Sequence, residues 1–320
     1  MLREKSLRKI LVSSAALFSL MLIYLIPKED DKILKNIKQN LEYVSSNVTT
    51  NEIYLLNNHN MLAKTKVVVD NKDTEKLAKE LVEVLIEGGI GENKIPSGFK
   101  SFLPTDSKII STKYENNLLK INFSKEILNI NKEYEEKMIE ALVYSLTSIE
   151  GIDNIIIYVE DIILSKLPQS GKVLPSTLNR EFGINKEYEL ETLKDITSVT
   201  IYYIDSYNDE FYYVPVTKYV NDDREKIRIV IDELTSSPIY NTNLMSFLNS
   251  NTKLLEVEQT IDTLDLTFNS YIFNNLEDKK ILEEVIYTIC LSVRDNYDVK
   301  EVIINVDDEE IYKSVLKTIE

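Results

Sequence analysis

The sequence predicts an α+β fold: two tandem repeats of a β-β-α-β-β-α-β unit, each a mainly antiparallel sheet with two helices on one face, behind an N-terminal transmembrane helix. Three observations carry this prediction. The segment EALVYSLTSIEGIDNIIIYVED at 140–161 reads as helix, glycine turn and strand, and EEVIYTICLSVRDNYDVKEVIINVDD at 283–308 repeats it. Short alternating segments separated by turn residues lead into both copies in the same order. Residues 10–26 form a run without charge behind Arg3, Lys5, Arg8 and Lys9.

The apolar run holds about 17 residues, near the lower limit for a spanning helix. Basic residues before it and Lys28-Glu29-Asp30 after it place the N-terminus in the cytoplasm and the remainder outside. The competing reading is a cleaved signal peptide, against which LIYLIPKED offers no small-residue pair for cleavage. No cysteine closes the run, so N-terminal lipid attachment has no acceptor. The expected organisation is a basic tip and anchor over 1–27, a spacer over 28–50 with a short helix at Ile33, Ile37 and Leu41, a first domain over 51–165, a connector over 166–196 and a second domain over 197–320.

Within the first repeat, Ile53-Tyr54-Leu55 and Leu62 to Val69 form a hairpin around NNHN; Ile201-Tyr202-Tyr203 and Phe211 to Val216 repeat it around DSYND. A helix follows in each. Leu77, Leu81, Val84 and Leu85 share one helical face, with Asp73 or Thr74 as cap, and Ile227, Val230, Ile231 and Leu234 repeat the stripe. The loops SFLP at 101–104 and SFLN at 246–249 lead into strands at Lys108-Ile109-Ile110 and Lys253-Leu254-Leu255. Leu119, Ile121 and Phe123 then alternate with Lys120 and Asn122, as Leu264, Leu266 and Phe268 do with Asp265 and Thr267, at a spacing of 145. Each strand therefore has one dry and one wet face. The second helices carry Met138, Leu142, Ser145 and Ile149, and Leu282, Val285, Ile286, Ile289 and Val293; IIIYV and VIINV close the units. A period near 147 exceeds that of solenoid repeats, so the copies are tandem domains.

Composition narrows the function. A formal charge of −16 from 53 acidic and 37 basic residues repels a phosphate backbone, which argues against nucleic acid. One cysteine and one histidine exclude an internal disulfide, a Cys-rich zinc site and multi-His metal chemistry. His59, between asparagines, reads as an exposed turn residue. Cys290 reads as a buried small hydrophobe. Ser124 and Ser145 lack a Gly-x-Ser-x-Gly elbow, and seven glycines supply no phosphate loop. Glu133, Glu135 and Glu136 suit a helix N-terminus; Asp205, Asp209 and Glu210 crowd a turn; Asp307, Asp308, Glu309 and Glu310 follow the last strand. Neither cluster has calcium-loop spacing. Tyr202, Tyr203, Tyr207, Phe211, Tyr212, Tyr213 and Tyr219 divide between strand core and a partner-facing surface. No catalytic, cofactor or metal residue is assigned, and no binding residue is singled out.

In SFLP, LLKINFSKEI at 118–127, EALVYSLTSIEGIDNIIIYVED, the connector NREFGINKEYELETL and IYYIDSYNDEFYYVPVTKYV, the sequence resembles the GerM sporulation and germination family, built from two GerMN domains. The likeness covers residues 51–320. It departs in lacking the lipidated cysteine of many members and in carrying Asn249 where the first repeat has Pro104. The resemblance implies a non-enzymatic, membrane-anchored scaffold similar to ring-building domains, with envelope or sporulation-complex proteins as partners, no cofactor, and self-association as a further option. An extracellular cell-wall hydrolase working through acidic residues and a small-ligand-binding surface module are the alternatives.

Overall fold

The computed structural model describes residues 49–236, 243–307 and 309–316. The expected membrane helix over 10–26 and the short helix at Ile33, Ile37 and Leu41 lie outside these. Among the described residues no helix is long and apolar enough to cross a membrane. Val48–Glu320 forms one compact unit.

The first repeat runs β1 (Thr50–Asn57), β2 (Leu62–Val68), α1 (Thr74–Leu85), β3 (Phe99–Lys100), β4 (Ile109–Glu115), β5 (Leu118–Phe123), α2 (Glu135–Leu146), β6 (Asn154–Val159) and β7 (Ile162–Ile163). The connector holds β8 (Glu187–Glu189). The second repeat runs β9 (Thr197–Tyr207), β10 (Glu210–Val220), α3 (Lys226–Thr235), β11 (Leu254–Gln259), β12 (Thr263–Phe268), α4 (Glu283–Asn296), β13 (Glu301–Val306) and β14 (Glu309–Val315). The result is α+β with mixed sheets. Turn chemistry explains the hairpins: Asn116-Asn117, Glu160-Asp161 and Asn208-Asp209 all have positive φ at both residues, which matches the twist of paired strands. The side chain of Asp73 caps α1 by accepting from Lys76 N–H (3.0 Å).

Two features differ from the expectation. Each repeat was expected to place its strands in one sheet under two helices, but its hairpin leaves for a sheet shared with the other repeat. That six-stranded sheet runs β3-β1-β2-β10, with β9 on the far side of β10 and β8 parallel to the end of β10. The four-stranded sheets β4-β5-β6-β7 and β11-β12-β13-β14 each contain one parallel pair, β5 with β6 and β12 with β13. The reason lies in β1: Ile53, Tyr54, Leu55 and Leu56 are all buried, so both faces of that strand need cover. Alternation reports which face is dry, not which sheet supplies the neighbour. The second difference is a strand after each expected last strand. Glu309 and Glu310, expected to follow the last strand, begin β14, and β7 follows the turn at Glu160-Asp161. Two-residue length in β7 and the Glu-Glu start of β14 hide both from pattern reading.

The outer strands of the shared sheet are shielded by helix side chains. Tyr54 N–H donates to Ser145 Oγ on α2 (3.0 Å), and Tyr202 N–H donates to Ser292 Oγ on α4 (2.9 Å). An unpaired edge is a template for aggregation, and these hydroxyls blunt it. Between the hairpins, β2 and β10 pair only at Lys64 and Tyr213. Beyond that point Asn185 of the connector stands in for a strand: its Oδ1 accepts from Leu62 N–H (2.9 Å), and its Nδ2 donates to Leu62 C=O (2.7 Å) and Pro215 C=O (2.8 Å). Asn185 holds φ at +45°, which asparagine tolerates better than most residues.

Candidate functional site

The seam between the repeats concentrates buried and part-buried polar groups. β1 contributes Glu52 and Tyr54, β2 Lys64, α2 Tyr144 and Ser148, β9 Tyr202, α4 Arg294 and Asp295, and the connector Arg180. Tyr202 donates its hydroxyl proton to Asp295 Oδ2 (2.7 Å), so Tyr54, 2.9 Å from the Tyr202 oxygen, donates to Tyr202. Arg180 donates to Asp295 Oδ1 (2.6 Å), Ser148 Oγ (2.9 Å) and Thr147 Oγ1 (3.0 Å), and its guanidinium lies 4.9 Å from the Tyr144 ring centre. Tyr54 and Tyr144 pack edge to face at 5.3 Å.

Equivalent positions of the two repeats meet here. Tyr54 and Tyr202 are 148 apart in sequence, and Ser148 and Asp295, which accept from the two terminal nitrogens of the Arg180 guanidinium, are 147 apart. Matching residues of the two repeats lie around one pseudo-twofold axis, and Asp295, where the first repeat has Ser148, complements a cation. Burial raises the Tyr54 and Tyr202 hydroxyls, so both stay protonated donors. Burial opposes the charge of Arg180, but Asp295 and the tyrosines around it hold the guanidinium charged. Burial also opposes ionisation of Glu52, which Arg294 and Lys64 outweigh, keeping it below its ordinary range. Burial lowers Lys64 to about 8. Arg294 reaches Glu52 Oε2 at 3.5 Å, while its Nε and Nη2 have no hydrogen-bond partner among the described residues.

A second cluster joins the hairpin turns. Asp205 Oδ2 accepts from Asn57 Nδ2 (3.0 Å) and the Tyr212 hydroxyl (2.9 Å) and pairs with His59 Nδ1 (2.8 Å). His59 is the exposed turn residue the sequence suggests, but Asp205, expected in a turn, is a buried strand residue that pairs with His59 from the other repeat. Gly98 has φ at +88° and lies against the Tyr207 ring, where a Cβ would approach to 2.7 Å.

The remaining candidates have structural partners. Cys290 is buried, and burial pushes its thiol up to about 12. Ser124 Oγ accepts from Lys108 N–H (3.0 Å), and Ser145 is the edge shield described above. Glu135 accepts from Gln169 N–H (2.7 Å) and Ser170 N–H (3.1 Å), which fastens the connector to α2, while Glu136 pairs with Lys172 and Lys186. Glu133, Asp209, Glu210 and Asp307 are exposed. Of the aromatic cluster, Tyr202, Tyr203 and Tyr212 are core, Tyr207, Tyr213 and Tyr219 are half-buried, and Phe211 is exposed. Among the described residues no group of three or more His, Cys, Asp or Glu is arranged to hold a metal. A surface depression of about 330 Å³ is lined by Glu189, Glu191, Asp222, Asp232, Glu233 and Arg224 among others. Its carboxylates are already engaged in part: Glu189 and Glu233 by Lys218, Asp222 and Asp232 by Arg224.

The sequence model of the Germane family, described as sporulation and spore germination, matches residues 52–164 and again 200–312. The chain belongs to the Germane family. The spore germination protein GerM of Bacillus subtilis (strain 168) is 30% identical over 271 residues, covering 82% of this chain and 73% of that protein. The solved tandem GerMN domains of the sporulation protein GerM from Bacillus subtilis superpose with a TM-score of 0.75 at 27% identity, covering 82% of this chain and 92% of that one. The two Germane matches fall on the two repeats, and Arg180 and Asn185, which fasten the repeats together, lie between them. Sequence reading missed both residues as site members. The available signal was an Arg and an Asn inside NREFGIN, a polar stretch flanked by apolar Phe182 and Ile184 that had to pack somewhere.

Proposed function

We propose that this chain is a non-enzymatic scaffold of the cell envelope in sporulation or germination, anchored by residues 10–26 with its N-terminus in the cytoplasm and the tandem repeats outside. In this reading the repeats bind other envelope proteins. The observation that supports it best is the state of the seam: its tyrosines, Arg180 and Asp295 are consumed by one another, as suits a rigid joint and not a substrate cleft. An enzyme needs polar groups held ready for a reacting ligand, whereas Tyr202 and Asp295 are spent on internal bonds. Family membership supplies the process.

Deleting the gene in its sporulating host and counting heat-resistant spores tests the biological half; a large loss is expected, and an unchanged yield overturns it. Release of sugars or peptides from peptidoglycan by the purified chain would instead favour a hydrolase.

A further inference from the structure

The two four-stranded sheets carry opposite charge at matching positions on their open faces. In the first repeat Leu119, Ile121 and Phe123 of β5 point into the core, which leaves Lys120 outward, directly opposite Lys113 of β4. In the second, Leu264, Leu266 and Phe268 of β12 point inward, which leaves Asp265 outward, directly opposite Glu258 of β11. Lys113 and Glu258 are 145 apart in sequence, and so are Lys120 and Asp265. Like charges facing each other across strands destabilise the sheet that holds them. Lys113 has only a 3.7 Å contact to exposed Glu115, and Asp265 one hydrogen bond from Asn305 (3.1 Å).

Each row passes next to the same residue type, and the second continues to Lys313 of β14, which pairs with Ile303 and is held by Glu301 at 2.7 Å. Ile156 of β6 pairs with Lys120, and Ile303 of β13 pairs with Asp265; both isoleucines are partly exposed. The row Lys113, Lys120, Ile156 thus matches the row Glu258, Asp265, Ile303 charge for charge and apolar for apolar. A groove of about 160 Å³ lined by Lys113, Glu115, Asn116, Leu118 and Lys120 offers space for a carboxylate side chain. In a chain of net charge −16, a pair of lysines beside apolar groups is a local exception.

We propose that the open face of the first repeat's four-stranded sheet binds the corresponding acidic face of the second repeat in another copy of this chain. The contact is head-to-tail, so each added copy leaves one face of each kind free and assembly continues. It goes beyond the scaffold reading, because the partner is the chain itself, and it stands if that reading fails.

The test uses the full chain with Lys113→Cys and Glu258→Cys, in which the natural Cys290 is buried. Mild oxidation is expected to give a ladder of dimers, trimers and larger species. Adding Lys120→Glu should reduce the ladder at least tenfold, and adding Asp265→Lys to that variant should restore it, since both signs are then reversed; this restoration also separates lost contact from lost folding. Monomer alone, a series ending at dimer, or a ladder indifferent to these reversals overturns the proposal.

Discussion

The hydroxyls of Tyr54 and Tyr202 lie 2.9 Å apart although 148 residues separate them in the chain. They occupy the same place in the two repeats, so their contact marks the pseudo-twofold axis of the seam. The bond is directional, because Asp295 accepts from Tyr202 and leaves that oxygen to accept from Tyr54.

Replacing Tyr54 by Phe removes a donor at the end of this chain and should cost about 1 kcal/mol. Tyr202→Phe also strips Asp295 of a partner and should cost about 2–3 kcal/mol, more because the acceptor is charged. The pair should be non-additive, with the double variant close to Tyr202→Phe alone. Urea unfolding of all four proteins measures the coupling.

Arg180 and Asp295 form an ion pair at 2.6 Å in which the carboxylate is buried and the guanidinium partly exposed. Removing one partner leaves a stranded charge: Arg180→Met or Asp295→Leu should each cost about 3–5 kcal/mol, and the two together should recover part of it. Arg294→Met should cost less, since that guanidinium makes only long contacts, 3.5 Å to Glu52 and 3.6 Å to Asp295, and carries N–H groups without a hydrogen bond. Equal losses for Arg180→Met and Arg294→Met in denaturant melts would count against this ranking.

Asn185 bridges β2 and β10 where they no longer pair. Asn185→Ala should cost about 2–3 kcal/mol, because Leu62 N–H and two carbonyls lose their partner in a buried place. Hydrogen exchange at Leu62 should quicken, while Val214, paired within its own hairpin, should change little.

Lys64 sets a pH dependence. The folded chain releases its proton near 8 and the unfolded chain near 10.5, so in that window unfolding takes up a proton and stability rises with pH. Relative to Lys64→Met, the natural protein should gain up to about 1.4 kcal/mol per pH unit above pH 8. Buried tyrosines work the other way: with pKa values raised in the fold, Tyr54 and Tyr202 weaken it only as pH climbs past the unfolded tyrosine range. Denaturant melts at about pH 7.5 and about 9.5 therefore isolate Lys64. A constant difference between the two proteins would refute its role.

The sequence by itself determined the repeats, the hairpins at NNHN and DSYND, the four helices and the dry faces of β5 and β12. These follow from local causes: two- and 3.6-residue periodicity, turn residues, and Asp73 as a cap. What only the tertiary structure decided is that both hairpins enter one sheet, that Arg180 and Asn185 fasten the repeats, and that His59 finds Asp205. Each of these depends on which surfaces meet across more than a hundred residues of chain, and strand pattern does not encode a partner. Tyr54 and Tyr202 are the instructive case: their equivalence is legible in the spacing, while their meeting required the axis that folding creates.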